Sequence, residues 1–61
     1  MTVQRIRDKA LGFAVQMRGE FVFGARTYRA GLWIVGVGLD RVVMTSGELS
    51  ADFRTMHGEG R

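Results

Sequence analysis

The longest stretch without a charged side chain is AGLWIVGVGL, residues 30–39, bounded by Arg29 and Asp40. It spans about half of the roughly 20 residues that a membrane-crossing helix needs, so the sequence predicts no transmembrane segment. If the stretch is helical, Trp33 and Val37 leave it apolar on nearly every side, which is typical of an element buried or docked on another surface. The conformation of this stretch therefore decides the fold.

Apolar residues recur along the whole chain at the three- and four-residue spacing of a helix. The series, with one residue skipped near Gly19, is Val3, Ile6, Ala10, Phe13, Met17, Phe21, Ala25, Tyr28, Leu32, Val35, Leu39, Val42, Ser46, Leu49, Phe53 and Met56. Only Ser46 is polar. The series predicts an all-α chain with amphipathic helices over residues 3–18, 21–44 and 46–57, followed by a frayed tail over 58–61.

Three glycines strengthen the helical interpretation. Gly24, Gly31 and Gly38 recur every seven residues, which places them on one face of the second predicted helix. A stripe without side chains lets another backbone approach closely. Each Gly costs about 1 kcal/mol relative to Ala inside a helix, so three in register need a compensating contact. The heptad therefore predicts a packing face for a partner.

Two stretches also fit the alternating pattern of β-strands. The alternating apolar positions are Leu11, Phe13, Val15 and Met17 in the first stretch, and Trp33, Val35, Val37 and Leu39 in the second. Valine, isoleucine and aromatic residues favour strands. Residues 18–20, Arg-Gly-Glu, suit a hairpin turn between strands. The alternative fold is thus a small antiparallel β meander within residues 11–46, followed by a C-terminal helix.

The sequence Thr45-Ser46-Gly47-Glu48 has the form of a capping box. In this motif the Thr45 side chain accepts a hydrogen bond from the Glu48 amide, and the Glu48 side chain reaches back to the Thr45 amide. A helix is therefore predicted to begin at Ser46 in either fold.

The chain is a single small module, because 61 residues bury too little surface for two cores. Small domains usually add disulfides, a metal or a partner, and this chain has no Cys and one His. Association with a partner protein or with itself is the remaining source of stability. The predicted partner-packing residues are Phe13, Met17, Phe21, Gly24, Tyr28, Gly31, Leu32, Trp33, Val35, Gly38 and Leu39.

The residues that could carry chemistry do not form a catalytic pattern. His57 lies next to the terminal glycines, where a catalytic imidazole has no orienting partner. Ser46 and Ser50 lack the Gly-x-Ser-x-Gly context of a nucleophile. Residues 36–38, Gly-Val-Gly, are only a fragment of a dinucleotide loop. We therefore predict no enzymatic activity, no metal site and no cofactor.

The net charge of +3 mildly favours anionic partners. The cations of the first segment, Arg5, Arg7, Lys9 and Arg18, predict a basic amphipathic helix that could lie on anionic lipid or grip phosphates. Charged residues of this kind are also normal on the solvent-exposed side of a packed helix. Nucleic acid is the less favoured partner, because the charge falls far short of that of a nucleic-acid-binding arm.

Two segments resemble the phasin family, the helical proteins that coat polyhydroxyalkanoate granules. Residues 25–32, Ala-Arg-Thr-Tyr-Arg-Ala-Gly-Leu, are similar to the small-Arg, aromatic, Ala-Gly-Leu segment of that family. Residues 53–60, Phe-Arg-Thr-Met-His-Gly-Glu-Gly, are similar to its closing segment, Phe-x-x-Leu-Val-x-Glu-Gly. The resemblance implies a helical fold and peripheral association with a granule.

The functional prediction is a non-enzymatic structural or interaction subunit. It would pack an apolar helical face against a partner protein, against itself, or against an apolar surface such as a granule or membrane. The alternative is a small basic protein that binds anionic lipid or nucleic acid. The expected location is cytoplasmic, with peripheral association at a membrane or inclusion surface as a variant.

Overall fold

The protein is a small antiparallel β structure with one short helix. The computed structural model describes residues 1–56. Its elements are β1 Thr2–Arg5, β2 Leu11–Gln16, β3 Phe21–Phe23, β4 Arg26–Tyr28, β5 Trp33–Val37, β6 Asp40–Met44, α1 Ser46–Asp52 and β7 Phe53–Thr55. The all-α prediction is wrong, and so are its amphipathic helices over 3–18 and 21–44. The alternative, an antiparallel sheet followed by a helix, is the correct class.

Five strands form one sheet in the order β6-β5-β2-β1-β7, with every neighbouring pair antiparallel. Strands β3 and β4 form a separate hairpin, here called the arm, inserted between β2 and β5. Its base is closed by hydrogen bonds from the Met17 amide to the Leu32 carbonyl at 2.9 Å and from the Gly31 amide to the Met17 carbonyl at 2.8 Å. Residues 18–20 do not join two paired strands, because β2 pairs with β5 across the arm.

The middle of the decisive stretch, Trp33–Val37, is a strand because it pairs with a neighbouring strand on each side. Val35 is buried between Ala14 of β2 and Val42 of β6, its direct partners in the two registers. Trp33, Val35 and Val37 lie on the core side of the sheet, which accounts for the apolar side chains at alternate positions of β5. The helical spacing was misleading since, at 46% apolar residues, positions such as Phe13 and Met17 satisfy both periods.

The three glycines spaced by seven do not form a packing face. Gly24, Gly31 and Gly38 all have left-handed backbones, with φ of 60°, 95° and 61°. Gly24 begins the two-residue turn of the arm, and Gly38 begins the turn between β5 and β6. Only glycine adopts such φ values without steric cost. The seven-residue spacing therefore reflects the distance between successive turns along the chain.

The core lies on one side of the five-stranded sheet, which we call the inner face. Val3, Ala14 and Val35 from the central strands are covered by Leu49 of α1 and Phe53 of β7. Trp33, Val37 and Met44 pack against this cluster from its edges.

Helix α1 begins where the capping box predicted. Thr45 Oγ1 accepts from the Glu48 amide at 3.1 Å, and the Thr45 amide donates to Glu48 Oε1 at 2.9 Å. The helix ends at Asp52 and the chain passes directly into β7, so the predicted extent of 46–57 is wrong over residues 53–56. His57 and the predicted tail over 58–61 lie outside the described residues. In the part of the chain that is described, no helix is long and apolar enough to cross a bilayer.

Candidate protein interface

The five-stranded sheet has a second side, opposite the core, that we call the outer face. Directly opposed residues on neighbouring antiparallel strands point to the same side of a sheet. Ala14 and Val35 oppose each other and are both buried in the core, so their neighbours in the strands point outward. The apolar side chains of the outer face are Leu11, Phe13, Val15, Ile34 and Val43.

Phe13, Gly36 and Arg41 form a row across the centre of the outer face. The Phe13 ring lies across Gly36, because a Cβ at position 36 would come within 2.8 Å of it. The Arg41 guanidinium carbon is 5.0 Å from the centroid of the ring, a cation–π contact worth about 0.5–1 kcal/mol at an exposed site. Arg41 also donates to the carbonyls of Gly38 and Asp40, at 3.0 and 2.9 Å. The ring and the cation are therefore held in place before any partner binds.

Much of the outer face is open to solvent. Leu11, Val15 and Phe13, which alternate along β2, are 61%, 51% and 38% exposed. Helix α1 lies on the inner face, where Leu49 joins the core, and it is the only helix within residues 1–56. Contiguous exposed apolar side chains make the outer face the candidate interaction surface of the described residues.

The charged side chains of the outer face are cationic. Arg41 lies in its central row, and the register across β1 places Arg54 of β7 in line with Leu11. The Asp40 carboxylate is on the inner side, together with Val37, its pairing partner. Among the described strands, no carboxylate shares the outer face with these two arginines. The face is therefore complementary to an apolar surface bordered by carboxylates.

The structure separates the residues that the sequence assigned to partner packing. Val35 and Leu32 are buried within the chain itself. Trp33 packs against the core, and its indole Nε1 donates to Ser46 Oγ at 2.9 Å. Phe13 lies on the outer face. The others lie in the arm, at its base or in a turn: Phe21, Gly24 and Tyr28 in the arm, Met17 and Gly31 at its base, and Gly38 and the fully exposed Leu39 in the β5–β6 turn.

Sequence reasoning missed most of the outer face. Val15, Ile34, Val43 and Arg41 were not assigned to a surface, because their common location follows only from strand register. One signal was available in the sequence. Leu11, Phe13 and Val15 alternate with small or polar residues, which is the pattern of a strand that has one apolar side.

The arm carries its own aromatic pair. The rings of Phe21 and Tyr28, opposed in the β3–β4 register, are stacked at a centroid distance of 5.4 Å and an interplanar angle of 21°. The Arg26 guanidinium lies 5.6 Å from the Tyr28 centroid. Val22 is on the opposite side of the hairpin and is 71% exposed. These contacts stabilise the arm internally, since β3 and β4 pack mainly against each other.

The four cations predicted to share one basic helix face are distributed over several elements. Arg5 ends β1, Arg7 and Lys9 lie in the β1–β2 loop, and Arg18 follows β2. The basic amphipathic helix does not exist, because this part of the chain is two strands and a loop.

Arg5 is paired within the chain. Its Nε and Nη2 donate to the two carboxylate oxygens of Asp8 at 3.0 and 2.7 Å. The hydrogen bonds from Arg5 and from the Ala10 amide lower the pKa of Asp8 to about 2. The hydrogen bond to Asp8 also raises the pKa of Arg5. The charge of Arg5 is therefore largely satisfied by the loop that it organises.

A cleft opens on the inner side between strand β6 and the segments that carry Arg5, at the end of β1, and Phe53, at the start of β7. It consists of two adjoining cavities of about 330 and 230 Å³, both lined by Arg5, Val42 and Phe53. The larger cavity is also lined by Arg7 and Met44. We call this feature the edge cleft.

Within residues 1–56, no three histidine, cysteine or carboxylate side chains are grouped as a metal site would require. The Ser46 hydroxyl accepts from Trp33, which gives it a structural partner. The chain matches no family model, and neither curated proteins nor solved structures show significant similarity to it. Segment 25–32, which resembles phasins, forms turns and β4, so the helical fold implied by that resemblance is not found there.

Proposed function

We propose that this protein is a non-enzymatic binding module that docks the outer face of its sheet on a partner protein. The observation that carries the proposal is the uncovered row of Leu11, Phe13 and Val15, with Arg41 held against the Phe13 ring. Aromatic residues and arginine dominate the energetics of protein interfaces. A rigid ring loses little side-chain freedom on binding, which favours affinity.

The charges of the outer face favour a partner different from this chain. Two copies docked face to face would bring Arg41 and Arg54 of each copy into one interface to which the described strands contribute no carboxylate. A partner with an apolar patch and peripheral carboxylates would instead pair with both arginines. We therefore propose a heterologous partner of that chemistry.

The alternative of a basic protein that binds anionic lipid or nucleic acid has less support. Arg5 is engaged by Asp8, and the cations once placed on one helix lie on separate elements. Phosphate binding weakens steeply with salt, whereas docking of apolar side chains does not. Salt dependence of the complex therefore separates the two functions.

The test places a photo-crosslinking residue at position 15 and, as the matched control, at position 22. Val15 and Val22 are both valines in strands and both largely exposed, but only Val15 is on the outer face. We expect one protein to be crosslinked from position 15 and not from position 22. The purified partner should then bind Val15→Lys at least tenfold more weakly than Val22→Lys, with modest salt dependence.

Two results would contradict the proposal. Equal affinity of the partner for the two lysine variants would remove the outer face from the interface. Loss of the complex in moderate salt, together with capture of nucleic acid or vesicles by the unmodified chain, would favour the basic alternative instead.

A further inference from the structure

Strand β6 forms a free edge of the sheet. Residues Asp40–Met44 pair with β5 on one side, and no described strand pairs with them on the other. The chain has no proline, and the β5–β6 register is continuous, so neither a proline nor a bulge blocks this edge. An exposed edge of this kind is a template for pairing with another strand. The opposite edge, β7, is only three residues long.

The β5–β6 turn determines which backbone groups of β6 are free. Val37 and Asp40 flank the two-residue turn and therefore hydrogen-bond to each other. In an antiparallel pair, bonded and non-bonded positions alternate. The amides and carbonyls of Asp40, Val42 and Met44 consequently point towards β5, and those of Arg41 and Val43 point outward.

We propose that a second copy of this chain pairs with β6, antiparallel and about a two-fold axis at Val42. This is the register in which all five residues of the two strands overlap. Arg41 of each copy then lies opposite Val43 of the other, and each such pair exchanges two hydrogen bonds. The free groups of β6 are therefore self-complementary, and the two sheets become one continuous sheet.

The side chains fit the same register on the inner side. Val42, which is 47% exposed in the single chain, meets Val42 of the second copy on the axis. Asp40 lies opposite Met44 of the second copy, which lines the edge cleft together with Arg5 and Arg7. An inward-pointing charge normally discourages pairing at an edge. Here the cleft that each carboxylate approaches carries Arg5 and Arg7 as well as Asp52, so the backbone register and the burial of Val42, and not charge, argue for a second copy.

The pairing is independent of the proposed partner interface. On the outer face, each Arg41 lies beside Val43 of the other copy, and the two Arg41 side chains are not opposite each other. The dimer would thus present two outer faces side by side, without the opposition of cations that face-to-face docking creates. A chain with no disulfide would also gain stability from association.

The first measurement is the mass in solution, by sedimentation equilibrium, of the chain and two variants at position 42. We expect the unmodified chain and Val42→Thr to approach twice the chain mass of 6.8 kDa at about 100 μM, within the range of weak specific association. Val42→Lys places two ammonium groups on the axis and should remain monomeric, with an unchanged circular dichroism spectrum. A monomeric unmodified chain at millimolar concentration would overturn the proposal.

The second measurement needs no variant and so does not depend on the folding of Val42→Lys. Amide hydrogen exchange is followed residue by residue as the unmodified chain is concentrated. Arg41 and Val43 should gain at least tenfold protection on dimerisation, while Asp40 and Val42 are protected at every concentration. A dimer in which the Arg41 and Val43 amides stay unprotected would mean pairing through another surface. Val15→Lys should still dimerise, so failure of the partner interface and failure of edge pairing are distinguishable.

Discussion

Replacing Gly36 by alanine tests the arrangement at the centre of the outer face. A Cβ at this position would lie 2.8 Å from two atoms of the Phe13 ring and 2.9 Å from Arg41 Cδ, closer than carbon atoms approach. Overpacking of this kind costs about 1–3 kcal/mol. Removing a glycine from a strand returns about 0.5–1 kcal/mol. We expect Gly36→Ala to lower the free energy of unfolding by about 1–2 kcal/mol.

The cause is isolated by repeating the substitution in a Phe13→Ala background. There the ring is absent and only the Arg41 methylenes have to move, so Gly36→Ala should be neutral or slightly stabilising. The difference, about 1–2 kcal/mol, is the coupling energy of a double-mutant cycle between positions 13 and 36.

Urea unfolding of the four proteins, followed by tryptophan fluorescence, measures the cycle. Trp33 is the only tryptophan and packs at the edge of the core, so its emission reports loss of the sheet. For a domain of this size 1 kcal/mol corresponds to roughly 4–8 °C in Tm, which gives an independent thermal check. Equal costs of Gly36→Ala in the two backgrounds would refute the position of the Phe13 ring across Gly36.

Two further predictions concern the loops. Ala25 has a left-handed backbone with φ of 65°, which costs a non-glycine residue about 1–2 kcal/mol. Ala25→Gly should therefore stabilise the arm by roughly 0.5–1 kcal/mol, after the greater entropy of glycine in the unfolded chain is included. Amide hydrogen exchange within β3 and β4 should slow in this variant, and unchanged exchange would contradict the idea that the backbone of Ala25 is strained. The pKa of Asp8 is about 2, below its usual value, so its stabilising contribution is present above about pH 4 and is lost as pH falls towards 2. In Arg5→Lys, which cannot form the two-pronged contact, the pKa of Asp8 should rise, and a carboxyl carbon titration by NMR showing no rise would exclude Arg5 as the cause.

Local signals in the sequence were interpreted correctly where one short segment contains all the interacting groups. The Thr45–Glu48 capping box is the clearest case, because its donors and acceptors lie within four residues and form as soon as the helix begins. The alternation of Leu11, Phe13 and Val15 is a second local signal, since a strand displays its period without reference to its neighbours. The capping box was predicted in either fold, whereas the alternation supported only the β meander that stood as the alternative to the all-α prediction.

The helical prediction failed because hydrophobic periodicity is a local property and does not show which distant segments pair as neighbouring strands. Gly31 and Gly38 fit a heptad and also fit turns, and only φ distinguishes the two. The pairing of β2 with β5 crosses the whole arm, so no window of sequence shows that Ala14 lies beside Val35. That contact determines which side of each strand is buried.

The sequence by itself determined that its longest run without a charged residue, 30–39, is too short for a membrane-crossing helix, and it predicted the helix that begins at Ser46. It also determined the apolar character of residues 30–39. The tertiary structure decided that Trp33–Val37 within this stretch is a strand, and that Leu11, Phe13 and Val15 form an open face with Arg41. The physical reason is that a strand is stabilised by hydrogen bonds and side-chain contacts to residues distant in sequence, whereas a helix cap is complete within one turn.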